Sequence, residues 1–309
     1  MKRLAIWISI IGINAGMLIR AWDGFGHMAV AYVAYQKLTP QTKSRVNALL
    51  KKNPDYNNWV TLMPAGSSQS QKNLMAFMFA ATWPDRIKSA PGYREDNPAN
   101  PSLCGPVSMQ NRGFNDHFRH RCWHFVDVAF TQDNSSLPAT PVPNAEERIA
   151  LFRAALGGTN EDLKAYDLSW TLHLVGDLHQ PLHCTTRIRN GQSDNGGNLT
   201  KVKPKTKSMP LHAYWDDLLG TGGDVSKVIK AARKLPAADA MKALDLNVRH
   251  WSDEGVQLAK ARVYGLPIGK GPGPFKLTEG YKKNAKAITQ EQVALAGERL
   301  ANLLNAELK

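Results

Sequence analysis

Cysteine is scarce in this chain, with 3 among 309 residues, which excludes the small secreted scaffold held together by disulfides. Past the N-terminus no apolar run approaches the roughly 20 residues that a membrane-spanning helix needs. Sustained period-two alternation is missing as well, so strand signals are thin. Acidic charge is in short supply: 26 Asp+Glu stand against 39 Lys+Arg, a formal charge of +13 and a pI near 9.6. Such a surplus speaks to partners rather than to fold. Phosphate polymers, anionic lipid and acidic glycans are all compatible with it, as is a basic surface kept only for solubility. What is present is a 43% hydrophobic, 21% charged mix, that of a globular protein with a real core. It rules out wholesale disorder, collagen-like repeats and coiled coil.

The first residues read as a secretory signal, residues 1–21. Lys2-Arg3 precedes an apolar stretch over 4–13, the basic-then-apolar layout of an export leader. Asn14 and Arg20 interrupt it too early for a comfortable bilayer span. Cleavage after Ala21 leaves Trp22 as the new N-terminus, with cleavage after Gly16 as the alternative. Removal of 1–21 takes away Lys2, Arg3 and Arg20 and leaves a charge of +10. The expected destination is the periplasm or the exterior, with the mature chain soluble and monomeric.

The remainder, 22–309, reads as one mainly α domain of many helices with long surface loops. Apolar spacing predicts a helix over 27–38. Thr39-Pro40 caps and opens a second to about Lys52, and 71–81 is a third. Asn144 with Glu147 has capping-box form ahead of 148–156. Asn160 starts a helix running to about Gln180, where Pro181 stops it. Weaker helices are expected at 210–219, 225–234 and 237–261, and a last one at 290–307 capped by Thr289. Loops are expected at 89–121, 131–143, 190–209 and 265–276.

Chemistry concentrates in His173-Leu174-Val175-Gly176-Asp177-Leu178-His179-Gln180-Pro181-Leu182-His183. On a helix, His173 and Asp177 share a face, and His183 can turn back past Pro181. Imidazole and carboxylate at that spacing suit a borderline-soft divalent ion such as zinc. A second such pair is His212 and Asp216. Further candidates are His27, His124 and Asp85. Singly, each is an ordinary hydrogen-bonding residue. Together, in apolar and Trp-rich surroundings, they are hard to explain without a metal, because buried polar groups need partners.

The run 176–183, with Trp22 to His27 at the expected mature terminus, resembles the S1/P1 nuclease family of zinc-dependent single-strand nucleases and 3′-nucleotidases. These are distant relatives of bacterial zinc phospholipase C. The resemblance spans 22–309 and implies three Zn2+ ions. One would be held by Asp85, His124, His173 and Asp177, and a second by His183, His212 and Asp216. The third would take His27, a bridging Asp177, and the α-amino group and carbonyl oxygen of Trp22. Leader removal would then complete the site, since an α-amine ligates only as a true terminus. Two zinc ions about 3.5–4 Å apart can share and acidify a water, and the resulting hydroxide would attack phosphorus in line. The expected products are 5′-phosphorylated, from single-stranded RNA and DNA, with 3′-nucleotides as further substrates.

Asp85 and Asp177 would thus act in catalysis as ligands. Lys88 matches a basic residue near the phosphate and would neutralise charge there, unless it is merely a solvated lysine. Phe125 and Asp127 resemble the family's stacking aromatic and base-binding carboxylate, and Asn198 a polar contact in its glycine-rich loop. Stacking on unpaired bases favours single strands. The plain alternatives are core packing for Phe125 and a turn for Asn198. The lysines at 201–207 can track phosphate, but a mobile basic loop is the simpler expectation. His117, His120, His179 and His250 have no matched ligand role, His179 being placed to orient a neighbour. Cys104 and Cys122 can close the 89–121 loop as a disulfide, leaving Cys184 unpaired beside His183; the odd count departs from the family's paired cysteines. Two rival readings stand. A zinc phospholipase C usually ends its second site in Glu, where this chain has Asp216. A non-catalytic zinc protein that binds nucleic acid is the other.

Overall fold

The computed structural model describes residues 24–100 and 103–308. The leader and Trp22 lie outside the described residues. In chain order the helices are α1 (Gly24–Lys37), α2 (Pro40–Leu50), α3 (Tyr56–Thr61), α4 (Gln69–Ala80), α5 (Trp83–Ile87), α6 (Ala145–Leu156) and α7 (Glu161–Asp177). They continue with α8 (Pro181–Cys184), α9 (Leu211–Asp216), α10 (Val225–Ala232), α11 (Ala240–Leu244), α12 (Val248–Leu258) and α13 (Glu279–Glu307). The fold is mainly α, as the composition and spacing predict. No helix among the described residues is long and apolar enough to cross a membrane.

Local chemistry sets the helix starts. Thr39 accepts from the Thr42 amide with Pro40 behind it. Ser68 and Gln71 cap each other reciprocally at α4, and Asn144 and Asn160 accept the first free amides of α6 and α7. Such caps satisfy donors that would otherwise have no partner. α7 is the axis of the molecule, buried without a break from Ala165 to Asp177. It packs against α1, α2, α4, α5, α6 and α13, so its polar residues have nowhere to go except a shared interior. Among the described residues, five fully buried tryptophans, Trp59, Trp83, Trp123, Trp170 and Trp251, fill this core, and a sixth, Trp215, lies in a second cluster.

Three expectations are corrected. The last helix begins at Glu279 with Thr278 as its cap, and Thr289 is a buried residue inside it. The lysine-rich segment 279–289 shows little apolar character, yet Tyr281 and Ala285 pack on a second hydrophobic cluster and hold it helical. The expected helix 237–261 is interrupted at Asp245-Leu246-Asn247, because Asn247 accepts from the Arg249 amide and Asp245 from that of Asn247. Short polar side chains compete in this way with helix propagation. Finally, α7 ends at Asp177, and Pro181 is the first residue of α8, capped by Gln180, whose side-chain Oε1 accepts from the Leu182 amide.

Strands are short and form two three-stranded sheets. In the first, β1 (Val128–Thr131) pairs in parallel with β2 (Thr185–Arg189), which pairs antiparallel with β3 (Gln192–Ser193). In the second, β4 (Lys201–Lys203) lies between antiparallel β5 (Met209–Pro210) and parallel β6 (Phe275–Lys276). The basic run 201–207, expected as a mobile loop, therefore begins as the central strand of a sheet.

Cys104 and Cys122 form a disulfide with Cα atoms 5.6 Å apart, and Cys184 is free and buried. The Cys184 thiol donates to the Leu178 carbonyl oxygen at 3.2 Å, and burial pushes it up into a range where it stays protonated. It does not compete as a thiolate for a metal.

α1 crosses α13 closely. A methyl built on Gly297 would stand 2.5 Å from Cβ of Val33 and 3.1 Å from the Val30 carbonyl oxygen. Gly297→Leu should therefore lower stability by about 1–3 kcal/mol or more through overpacking. Urea denaturation of the variant against wild type measures it, and an unchanged midpoint would show that the helices can part freely.

Candidate metal centre and pocket

Eight short distances bring the sequence-predicted side chains to one place. His173 and Asp177 project from the last turn of α7, with His173 Nε2 3.1 Å from Asp177 Oδ2. The turn Arg121–His124 delivers His124, whose Nδ1 lies 3.0 Å from the same oxygen and 2.9 Å from His173 Nε2. α5 contributes Asp85, 3.7 Å from His173 and 3.8 Å from His124. From α1, His27 Nε2 stands 3.3 Å from Asp177 Oδ1, its ring stacked on His173 at 3.8 Å. α8 supplies His183 and α9 supplies His212 and Asp216, with His183 Nε2 and His212 Nε2 3.2 Å apart. Three groups result that are able to hold a metal ion: His27, His173 and Asp177; Asp85, His124 and His173; His183, His212 and Asp216.

The imidazoles are oriented by the backbone. Nδ1 of His173 donates to the Ala81 carbonyl oxygen, Nδ1 of His183 to that of His124 and Nδ1 of His212 to that of Gly196, each at 2.7 Å. This fixes the tautomer and leaves each Nε2 as a lone pair aimed inward. His183 and His212 thus face each other lone pair to lone pair. Burial, followed by the neighbouring His183, lowers His212 to about 3, and burial also lowers His183, so no proton occupies the gap near neutrality. A cation is the partner that this pair of donors lacks.

Other atoms carry the same sign. His27 Nδ1 and Nε2, His124 Nε2, Asp177 Oδ1 and Asp216 Oδ2 are buried without a hydrogen bond. Burial, reinforced by the nearby Asp217, Asp177 and Asp85 carboxylates, pushes the Asp216 carboxyl well above the carboxylate range, although its Oδ1 accepts from Gln180 at 2.8 Å. Burial also opposes ionisation of Asp177, yet His173 and His183 hold it well below that range. A buried nitrogen–oxygen donor set with several atoms left without a hydrogen bond fits divalent ions of the zinc type. Gly176 belongs to the same design. A methyl at Gly176 would stand 2.8 Å from His27 Nδ1, so only glycine lets α1 bring its imidazole against α7.

Lys88 is 6% exposed, not solvated, and its Nζ donates to Asp85 Oδ1 at 2.6 Å. Against the cost of burial, Lys88 and then His173 and His124 hold Asp85 strongly ionised. Burial and the Lys88 charge together lower His124 to about 3. The ammonium thus brings a lysine charge to the rim of the cluster.

Beside the cluster opens a cavity of about 370 Å³. Phe125, Asp127 and Asn198 line it, as does His212, so it is continuous with the cluster. Asp127 sits in the left-handed region at φ 58°, and burial, reinforced by Asp194, raises its carboxyl to about 7. Near neutrality it can donate as well as accept. The Asn198 amide donates to the Asn195 carbonyl oxygen at 2.8 Å, leaving its own oxygen for other use.

Several supports have partners that sequence reading did not name. His120 lies buried between two carboxylates, with Nδ1 2.5 Å from Asp96 and Nε2 3.0 Å from Asp116, and stacks on Trp123 at 3.5 Å. This core pins the 89–121 loop beside His124. Asp194 accepts from the amides of Arg187 and Gly197 and from the hydroxyls of Thr200 and Tyr264, shaping the loop that carries Asn198. His179 is held between the Val175 carbonyl oxygen and the Arg299 guanidinium, beneath the end of α7. The only sequence signals were lone histidines and aspartates without an obvious partner, and their partners are far away in the chain. Trp22 lies outside the described residues.

Comparison with known proteins agrees with this geometry. The S1/P1 nuclease family model matches residues 22–309, and the chain belongs to that family. Three proteins of Arabidopsis thaliana are similar to it. Endonuclease 2 is 22% identical over 99% of this chain and 95% of its own length. Endonuclease 3 is 24% identical over 70% and 61%, and Endonuclease 4 is 23% identical over 75% and 65%. The protein is a nuclease, a hydrolase of phosphodiester bonds acting on nucleic acid.

Two outcomes follow. Chelator should lower the melting temperature, since stripping metal leaves buried donors unpaired, and added zinc should restore it; an unchanged melting temperature would remove the coupling. Burial lowers the pKa of His120, but Asp116 and Asp96 outweigh it and raise it above 6.5. The stability gained from this pairing is fully present below that value and is lost as pH rises through the raised one. The stability difference between wild type and His120→Gln, taken from denaturant midpoints, should therefore shrink from about pH 6.5 upward. A difference independent of pH would show that His120 is neutral.

Proposed function

We propose that this protein is an exported zinc nuclease that cleaves single-stranded RNA and DNA to 5′-phosphorylated products and also acts on 3′-nucleotides. In this reading 1–21 is a removable leader, and 22–309 forms one catalytic domain. Asp85, His124, His173 and Asp177 would hold one Zn2+; His183, His212 and Asp216 a second; His27, Asp177 and the Trp22 terminus a third. Bound there, zinc supplies Lewis acidity toward phosphate oxygens and makes water acidic enough to deprotonate near neutrality. The observation that carries the reading is the facing pair of unprotonated Nε2 atoms on His183 and His212, 3.2 Å apart, within the same buried cluster as Asp177.

The chain's own residues divide the remaining work. Lys88 neutralises charge that builds on the phosphate, and does so from a buried position where a charge is worth more than in water. Its Asp85 partner keeps the ammonium aimed. Phe125 offers a face on which an unpaired base stacks, while Asp127 and Asn198 meet the base edge with polar atoms. A base in a duplex is stacked and paired and cannot enter a cavity of about 370 Å³, which accounts for single-strand selectivity. The backbone carbonyls of Ala81, His124 and Gly196 keep three imidazoles from rotating out.

Asp177 is the most heavily shared side chain, within 3.6 Å of His27, His124, His173 and His183. Asp177→Asn should reduce hydrolysis of a single-stranded oligonucleotide more than tenfold, measured as initial rate with zinc present. A variant retaining over a tenth of the wild-type rate contradicts the sharing. Parallel assays on phosphatidylcholine separate this reading from a phospholipase.

A further inference from the structure

The second sheet collects basic charge with no acidic counterweight. No Asp or Glu occurs between residues 195 and 215 or between 255 and 278, whereas the first stretch holds Lys201, Lys203, Lys205 and Lys207 and the second includes Lys270 and Lys276. These segments fold against each other. β4 pairs in parallel with β6 so that Lys203 stands directly opposite Lys276, and both side chains are exposed. Like charges directly opposite on neighbouring strands repel. Among the described residues no carboxylate comes within ion-pair distance of Lys203, Lys205, Lys207, Lys270 or Lys276.

The patch is held rigidly and starts at the cavity. β4 begins three residues after Asn198, and Lys201 Nζ donates to the Asn198 carbonyl oxygen at 3.2 Å. β5 runs straight into α9, which carries His212 and Asp216. The loop that presents Lys270 is fastened from below. The buried Arg187 guanidinium donates to the carbonyl oxygens of Gly269 and Gly271, and the Lys201 amide donates to that of Pro272 at 2.7 Å. A methyl on Gly273 would meet the Lys201 carbonyl oxygen at 2.2 Å, so the loop lies flush on β4. On β4, Lys201 and Lys203 share one face about 6.6 Å apart.

The geometry points to this sheet as a phosphate track, which holds a single-stranded nucleic acid beyond the nucleotide seated in the cavity. Its occupant is the polymer itself, because a rigid and unneutralised row of ammonium groups matches a chain of phosphates and gains from counterion release. The inference deepens the function proposed above and rests on it. The track should matter for long substrates and be irrelevant to short ones.

The test compares Lys203→Gln/Lys276→Gln with wild type on two substrates, a dinucleoside monophosphate and a single-stranded oligonucleotide of about 30 nucleotides. A control variant, Lys51→Gln/Lys242→Gln, removes the same charge from α11 and the C-terminal cap of α2. The expected result is kcat/KM on the dinucleotide within about twofold of wild type. On the oligonucleotide it should fall about tenfold near 50 mM salt, with the gap closing by about 200 mM as the salt slope drops by about 1.4 for two lost contacts. Unchanged polymer cleavage overturns the track. So does an equal loss in the control variant, which would assign the effect to net charge, or an equal loss on both substrates, which would assign it to folding. If wild type cleaves neither substrate, the function proposed above is itself wrong and the track falls with it.

Discussion

A buried cluster of imidazoles and carboxylates cannot exist without something to compensate it, and this molecule is built around that constraint. Asp177 sits fully buried among four histidines on four separate elements. In water each of these groups would be solvated; here their partners are one another, a few backbone carbonyls and whatever cation they hold. α7 runs through the centre of the fold because it must carry two of these groups to a place shielded on all sides. The surrounding helices serve both as its hydrophobic jacket and as the carriers of the remaining donors.

Once that centre is set, much of the rest reads as its support. Gly176 makes room for His27. The carbonyls of Ala81, His124 and Gly196 fix the rings of His173, His183 and His212. The disulfide and the Asp96–His120–Asp116 core hold the long loop against Trp123, next to His124. Asp194 does the same for the loop of Asn198 across the cavity. Each support trades a flexible connection for a fixed one, and a donor cluster that must keep one geometry needs such fixing.

The candidate site was legible in the sequence to an unusual degree, whereas the helix limits were less so. Imidazole and carboxylate four apart at His173 and Asp177, and again at His212 and Asp216, state a helical face in the order of the residues. Capping residues such as Thr39 and Asn160 did the same for helix starts. Contacts between distant segments were not legible. Tyr281 and Ala285 hold a lysine-rich stretch in helix only because a second core lies beneath them. Lys203 meets Lys276 only because β6 folds back in parallel. His120 looks like a spare histidine until Asp96 and Asp116 close on it from 24 and 4 residues away. Local propensity cannot report partners that only the tertiary fold supplies.

The central claim is that the cluster exists to bind divalent metal. Elemental analysis of the purified mature protein, after gel filtration into metal-free buffer, tests it most directly. The account predicts three zinc ions per chain. A protein that hydrolyses nucleic acid while carrying less than one bound divalent ion per chain would contradict it.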